Sequence, residues 1–302
     1  MSEVPDVLAE SAADHATTDR ATADRITLGR RGAAAIITID RAERLNAVTF
    51  AMITEIRRMV DQAVADSTVT GVIITGSGRA FSAGLDMGDL ARSSQGIGER
   101  AADDADLPAL FSHLLRAPKP IIAAVNGVCA GGGLVLAMMC DLRFASPEAS
   151  FTTAFSKRGL IAEHGTAWLL PRLTGTSRAL DILWSSRRFN AEEAYRIGLV
   201  DRLVDADRLL VESCAYLDDM AATVAPRSIA IMKQQVYDGL SQTITASLDD
   251  ADAHMRASLT HPDLAEGVAS FVERRPPRFQ PLDRPYASAV RRLAHTHHIE
   301  DR

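Results

Sequence analysis

Two glycine-rich turns are the segments of this 302-residue chain best suited to chemistry. The first is Ala80-Phe-Ser-Ala-Gly-Leu-Asp-Met87. The second, residues 126–141, sets three consecutive glycines (Gly131, Gly132 and Gly133) before an apolar run predicted to be helical over 134–140. Glycine lets a backbone approach a ligand closely, and a helix N-terminus presents unpaired N–H groups carrying partial positive charge. Together these hold a developing oxyanion. The same glycine run serves equally well for close packing of a helix on a strand. Nucleotide-binding readings fail in detail. The chain has no G-x-x-x-x-G-K-[ST], and neither turn reads as G-x-G-x-x-G followed by an acid at the expected distance. There is no G-x-S-x-G elbow for a serine nucleophile. His295, His297 and His298 have no accompanying carboxylate or cysteine set, so they read as a polar tail and no metal site is expected.

Strands and helices must hold these turns in place. Residues 32–40 and 69–75 are short, β-branched and bounded by turn residues, as buried strands are. Thr49 can cap a helix in which Ile53, Ile56, Val60 and Val64 recur every three or four residues. A helix over 107–116 leads to a third strand over 120–125. Strands alternating with helices predict an α/β fold with largely parallel pairing. Beyond about residue 205 the pattern becomes helical, with Val211, Cys214, Leu217 and Met220 on one stripe and Ile229, Met232, Val236 and Leu240 on another. The Arg274-Arg275-Pro276-Pro277 sequence then breaks the last helix.

Composition excludes several classes. Hydrophobic residues at 47% and charged residues at 24% are those of an ordinary globular chain. The net charge of −6 argues against nucleic acid as the main partner. No apolar run is long enough to span a membrane. Cys129, Cys140 and Cys214 form no Cys-x-x-Cys pair, which suggests a reduced, cytoplasmic setting. Residues 1–24 hold six acids, one arginine and no aromatic residue, a composition expected to be a disordered acidic tail with no signal or transit peptide. The resulting division is 1–24 tail, 25–205 α/β core, 206–281 helical subdomain and 282–302 tail.

Five segments, in order, carry a resemblance. They are Arg41-Ala-Glu-Arg-Leu-Asn-Ala47, Ala80-Phe-Ser-Ala-Gly-Leu-Asp86, residues 126–141, Ala191-Glu-Glu-Ala-Tyr-Arg-Ile-Gly-Leu-Val200 and Glu273-Arg-Arg-Pro-Pro-Arg-Phe279. Across residues 25–281 the chain resembles the enoyl-CoA hydratase/isomerase (crotonase) superfamily. The resemblance implies a crotonase-like spiral of β-β-α units, with C-terminal helices that assemble trimers, often paired into hexamers. It implies an acyl-CoA thioester ligand from fatty-acid metabolism, with coenzyme A as part of the substrate and no separate cofactor. The thioester oxygen would sit between the N–H groups of Ala83 and Gly132. Gly84, Leu85, Asp86, Gly131, Val135 and Phe155 would line the substrate site, Asp86 capping the next helix and lending only its backbone. Proton removal beside the thioester makes an enolate, and fixed donors that strengthen as its charge develops lower the barrier.

The same resemblance exposes a departure. Hydratases of the family place two glutamates where this chain has Val135 and Phe155, neither of which can transfer a proton. One acid remains, Glu163, in Gly159-Leu-Ile-Ala-Glu-His-Gly-Thr-Ala-Trp168, at the position matching the catalytic acid of the family's enoyl-CoA isomerases. A single carboxylate that moves a proton between two carbons suffices for isomerisation. Val135, Phe155 and Trp168 would keep water from it. Other readings stay open: hydratase or other lyase or hydrolase chemistry, or an acyl-CoA binder without turnover, with Glu163 a solvated or helix-capping residue. His164 and Asp141 read as structural, and residues 88–105 as a cover for the acyl pocket.

Overall fold

The computed structural model describes residues 25–94 and 110–282. Both expected tails except Leu282, the expected cover from residue 95 onward and the start of the 107–116 helix lie outside the described residues.

The chain opens with a hairpin of β1 (Arg25–Arg31) and β2 (Ala34–Asp40), paired antiparallel. Helix α1 (Phe50–Ala65) follows, its first turn capped as expected by Thr49, whose hydroxyl accepts the Met52 N–H at 3.2 Å. Ile53, Ile56 and Val60 of α1 are buried, as their spacing requires. A repeat then begins. Strands β3 (Gly71–Gly76) and β4 (Ala80–Ser82) lead into α2 (Met87–Ser94). A short helix α3 (His113–Arg116) precedes β5 (Ile121–Val125), β6 (Val128–Ala130) and α4 (Gly132–Met139). The third turn is β7 (Leu142–Ala145), β8 (Ser150–Thr152), α5 (Thr166–Thr174) and α6 (Thr176–Ser185). Short elements β9 (Phe189–Asn190), α7 (Ala191–Arg196) and β10 (Arg202–Leu203) close the core. The chain ends in α8 (Leu209–Thr223), α9 (Pro226–Gly239), α10 (Ile244–Leu259) and α11 (Pro262–Glu273). Arg274 in the left-handed region (φ 54°) stops α11 where the prolines were expected to.

Each repeat gives its first strand to a six-stranded sheet, β1-β2-β3-β5-β7-β10, and its short second strand to a four-stranded sheet, β4-β6-β8-β9. β2, β3, β5, β7 and β10 pair in parallel, as do β4, β6 and β8. This is the expected spiral of β-β-α units. Parallel strands covered on both faces read as continuous apolar runs, which is why Val72-Ile-Ile and Ile121-Ile-Ala-Ala-Val125 show no alternation. The pleat divides them. Ile74, Ile121 and Ala123 join the main core with α1 and α4, whereas Ile73, Ile122 and Phe144 meet Leu209, Cys214 and Leu217 of α8.

Helix α9 is fastened to the core by polar groups. Asp141 accepts from Lys233 Nζ at 2.7 Å, from the Tyr237 hydroxyl at 2.9 Å and from the Ile121 N–H at 2.7 Å. Asp141 is thus structural in this fold. Burial beside that carboxylate raises the Tyr237 phenol above its usual range.

Candidate active site

The two glycine-rich turns meet at the N-terminus of α4. Val48 N–H donates to Gly84 O at 2.8 Å and Asp86 N–H to Val48 O at 2.9 Å, so an isolated parallel bridge grips Leu85 from one side. The Leu85 N–H therefore faces the other way, toward Gly132. A Cβ on Gly132 would lie 3.3 Å from Leu85 N, and one on Gly84 (φ +103°) would lie 2.9 Å from Gly132 N. Gly132 opens α4, where intrahelical acceptors are absent. Among the described residues neither the Leu85 nor the Gly132 N–H meets an acceptor.

Ala83 does not share this role. Its N–H donates to Leu45 O at 2.9 Å, so it is spent within the protein, and Leu85 is the donor that stands beside Gly132. The expectation for Ala83 fails because Gly84's backbone turns the chain between them. Gly131 is committed as well, donating to Thr152 O at 3.0 Å. Gly133 answers the packing reading of the glycine run, since a Cβ there would come within 2.3 Å of Ser82 O. The run serves close packing and an open donor at adjacent positions.

Asn46 holds the first turn in shape, a role the sequence reading missed. It is fully buried with φ 56°, a conformation that asparagine tolerates better than most residues. Its Nδ2 donates to Ser77 O (2.8 Å) and Ala80 O (2.6 Å), and its Oδ1 accepts the Arg41 N–H at 2.9 Å. Ser82 Oγ donates to Asn46 O and accepts the Gly84 N–H. Nearby, Arg41 Nη1 meets Asp86 Oδ2 at 2.6 Å. That bond holds the Asp86 carboxyl below the usual range, against the opposing effect of burial. Asp86 Oδ1 accepts the Gly88 N–H at 2.8 Å, so Asp86 heads α2 and its carboxylate is engaged.

Val135 and Phe155 are both buried and apolar, so neither position can supply a proton. Glu163 lies in the turn before α5. Its N–H donates to Ile161 O at 2.9 Å and its carbonyl accepts the Thr166 N–H at 3.0 Å, but no side chain caps α5, so the capping alternative fails. Its carboxylate is 3.5 Å from His164 Nε2, with the Glu and His side chains 33% and 24% exposed. Water is therefore not fully shut out by the apolar neighbours expected to do so. Burial lowers the His164 pKa, with the Glu163 charge opposing in part, which favours a neutral imidazole. A neutral His164 leaves the carboxylate without a cationic partner there. A Cβ on Gly165 would lie 2.9 Å from Met139 Cε, so this turn rests on the C-terminal end of α4.

An open pair of N–H groups thus stands at one end of α4, and the turn that carries Glu163 packs on the other. Paired sheets wound from β-β-α repeats around such a donor pair define the crotonase class. The profile of the family described as Enoyl-CoA hydratase/isomerase matches residues 29–281. The 1,2-epoxyphenylacetyl-CoA isomerase of Escherichia coli (strain K12) is 33% identical over 247 residues, covering 80% of this chain and 93% of its own. The probable enoyl-CoA hydratase EchA12 of Mycobacterium tuberculosis (strain H37Rv) is 37% identical over 267 residues, covering 82% and 90%. The crystal structure of enoyl-CoA hydratase EchA1 from Mycobacterium marinum superposes with a TM-score of 0.77 at 28% identity, covering 84% and 98%. This chain belongs to the enoyl-CoA hydratase/isomerase family and is an acyl-CoA enzyme of it. Among the described residues no helix is long and apolar enough to cross a membrane, and no three His, Cys, Asp or Glu side chains cluster as metal ligands would.

Proposed function

We propose that the protein shifts a carbon–carbon double bond within an enoyl-CoA thioester. Glu163 takes a proton from the carbon next to the thioester of a 3-enoyl-CoA. The electron pair moves toward the thioester oxygen, where the Leu85 and Gly132 N–H groups stabilise the enolate. Glu163 then returns the proton two carbons further along, giving the conjugated 2-enoyl-CoA. Coenzyme A is part of the substrate, and the reaction calls for no further cofactor.

The observation that carries this reading is the placement of acids around α4. The two positions where hydration would need carboxylates are the buried Val135 and Phe155, which leaves Glu163, whose turn packs on Met139 of α4, as the acid for the reaction. A single base must reach both the carbon next to the thioester and the carbon two further along. The E. coli relative's name, an isomerase of an acyl-CoA, supports the same class, while the names of the mycobacterial relatives favour hydration as the competing reading. Two further expectations accompany the proposal. Uncovered apolar side chains on α10 and α11 suit contacts between copies of the chain in a trimer or hexamer. Three buried free cysteines fit a reducing cytoplasm.

Conjugated thioester absorbance tests the reaction. Absorbance should rise with a 3-enoyl-CoA and stay unchanged with a 2-enoyl-CoA plus water, whereas loss of conjugation in the second assay would establish hydration. Glu163→Gln should lower turnover by at least ~100-fold, in the range of lost general-base catalysis, while acyl-CoA binding persists. Unaltered turnover would remove Glu163 from the mechanism, and saturable binding without turnover in the wild type would leave a carrier.

A further inference from the structure

Glu163 and His164 are neighbouring titratable side chains, and the proton transfer above uses only the first. His164 takes a left-handed conformation (φ 53°), and so does Gly165 (φ 78°). Outside glycine that region is sparsely occupied, histidine being among the residues that enter it more readily. Consecutive side chains of an extended chain point to opposite faces. Here the two left-handed residues wind the chain tightly between the Ile161 carbonyl, which accepts the Glu163 N–H at 2.9 Å, and the start of α5 at Thr166. His164 Nε2 consequently stands 3.5 Å from Glu163 Oε2. Unusual backbone of this kind collects at working sites and persists where the surroundings hold it. Gly165 supplies that hold, its backbone lying so close to Met139 that a Cβ would come within 2.9 Å of Cε.

The carboxylate has no other partner. Among the described residues, His164 is the one side chain at hydrogen-bond or ion-pair distance from it. Helix α4, on which the turn rests, carries no charged residue. Helix α5 carries only Arg172, which lies over the Trp168 ring at 4.1 Å and donates to the Trp168 carbonyl. Ahead of the turn, Lys157 is exposed and Arg158 Nη1 donates to Ala154 O. Burial keeps His164 below its ordinary value while the Glu163 charge pulls the other way, so at neutral pH the imidazole is uncharged and one ring nitrogen holds a lone pair. Contacts of this length between catalytic groups commonly shorten when substrate binds.

We infer that His164 is a positioning residue that joins Glu163 in a single base. Its Nε2 lone pair orients the carboxylate and accepts the hydrogen bond of the proton that Glu163 takes from the substrate. The hydrogen of the neutral ring sits on Nδ1, and the transferred proton leaves from Glu163 to the second carbon, so the cycle gains and loses none. Two sites sharing one proton titrate as a pair and hold it more strongly than a carboxylate alone. A base whose pKa nears the working pH is the more effective one. This rests on the reading of Glu163 as the base.

Isomerisation of 3-hexenoyl-CoA is followed in wild type, His164→Phe, His164→Gln and Glu163→Gln from about pH 5 to 9. In His164→Phe, kcat at neutral pH should fall at least ~tenfold with KM within ~twofold. The acid limb of kcat should move down by about one pH unit or more, from the range of an imidazole toward that of a lone carboxylate. Glutamine accepts a hydrogen bond but no proton, so His164→Gln should regain most of kcat while its acid limb stays low. An acid limb that moves in neither variant, or a loss confined to KM, overturns the inference and leaves His164 structural. Calorimetric binding of butyryl-CoA reports whether each variant keeps its site, and should phenylalanine spoil folding, the limb of His164→Gln decides alone. Full turnover in Glu163→Gln refutes the base reading and the pair with it. Lost turnover there, with both His164 variants like wild type, refutes the pair alone.

Discussion

Helices α4 and α10 are both rich in apolar residues, yet every residue of α4 is buried and none of α10 is. In α4 the apolar residues run all round the helix, the pattern of an interior element. In α10, Ile244, Leu248, Met255 and Leu259 form one stripe that stays 59–75% exposed. Helix α11 continues it with Val268, Phe271 and Val272. The first helix finds its partners within its own chain and carries one of the two donors, Gly132, at its tip. The second presents a stripe that the described residues leave uncovered. The contrast separates residues whose change should break the site from residues whose change should alter only assembly.

The strongest disruption should come from Gly133→Ala. The added carbon would sit 2.3 Å from Ser82 O, a backbone atom that cannot swing aside. Urea unfolding should show a loss of about 3 kcal/mol or more, at the upper end of overpacking costs. Next in size is an effect on catalysis alone. Replacing the amide at Leu85 by an ester removes one N–H and should lower turnover by ~100-fold or more, as the loss of a single oxyanion donor does. The same replacement at Ala83 removes a bond to Leu45 and should cost stability with a smaller change in rate. A larger catalytic loss at Ala83 would reverse the assignment.

A third test concerns Lys119, a buried cation. Lys119 donates to Ala63 O and Asp66 O at the end of α1, and burial lowers its pKa to about 8. In the unfolded chain the value returns to about 10.4, so between pH 8 and 10.5 the unfolded state binds more protons and the Lys119 contribution to stability rises with pH. Below pH 8 both states are protonated and the slope vanishes. Cys129, Cys140 and Tyr237, whose folded pKa values are raised, act in the opposite direction as pH climbs. Comparing wild type with Lys119→Met isolates the lysine. The difference should shift in favour of wild type by about 3 kcal/mol across that window, and a flat difference would contradict a buried, perturbed amine. The smallest effect on the fold is expected at Phe271→Glu, which should change unfolding free energy by no more than about 0.5 kcal/mol. Its sedimentation mass should fall relative to wild type if the uncovered stripe joins copies.

The architecture was legible where side-chain pattern alone decides it. The Ile53-Ile56-Val60 stripe, the Thr49 cap and the continuous apolar strands each appear where their chemistry predicts. Strand β1 was missed because Arg25-Ile-Thr-Leu-Gly-Arg-Arg buries only Ile26 fully, so its alternation is weak. The donor pair was half legible. Gly132 follows from its position at a helix start, but whether Ala83 or Leu85 stands opposite depends on the dihedral of Gly84, and a glycine's dihedral leaves no trace in residue types. Asn46 lay in a quoted motif, yet its bonds to Ser77, Ala80 and Arg41 exist only once β4 returns beside it. The partial exposure of Glu163 was likewise hidden, since it is set by how the turn before α5 seats on Met139.

Because the donor pair of Leu85 and Gly132 is built from main-chain N–H groups, few single substitutions can erase it, whereas each proton-handling side chain is one codon from being something else. A lineage could therefore exchange its acids while continuing to hold activated acyl groups. On such a scaffold new reactions can arise by rearranging bases around an inherited anion cradle, and ancestral chemistry can fade before the ligand does.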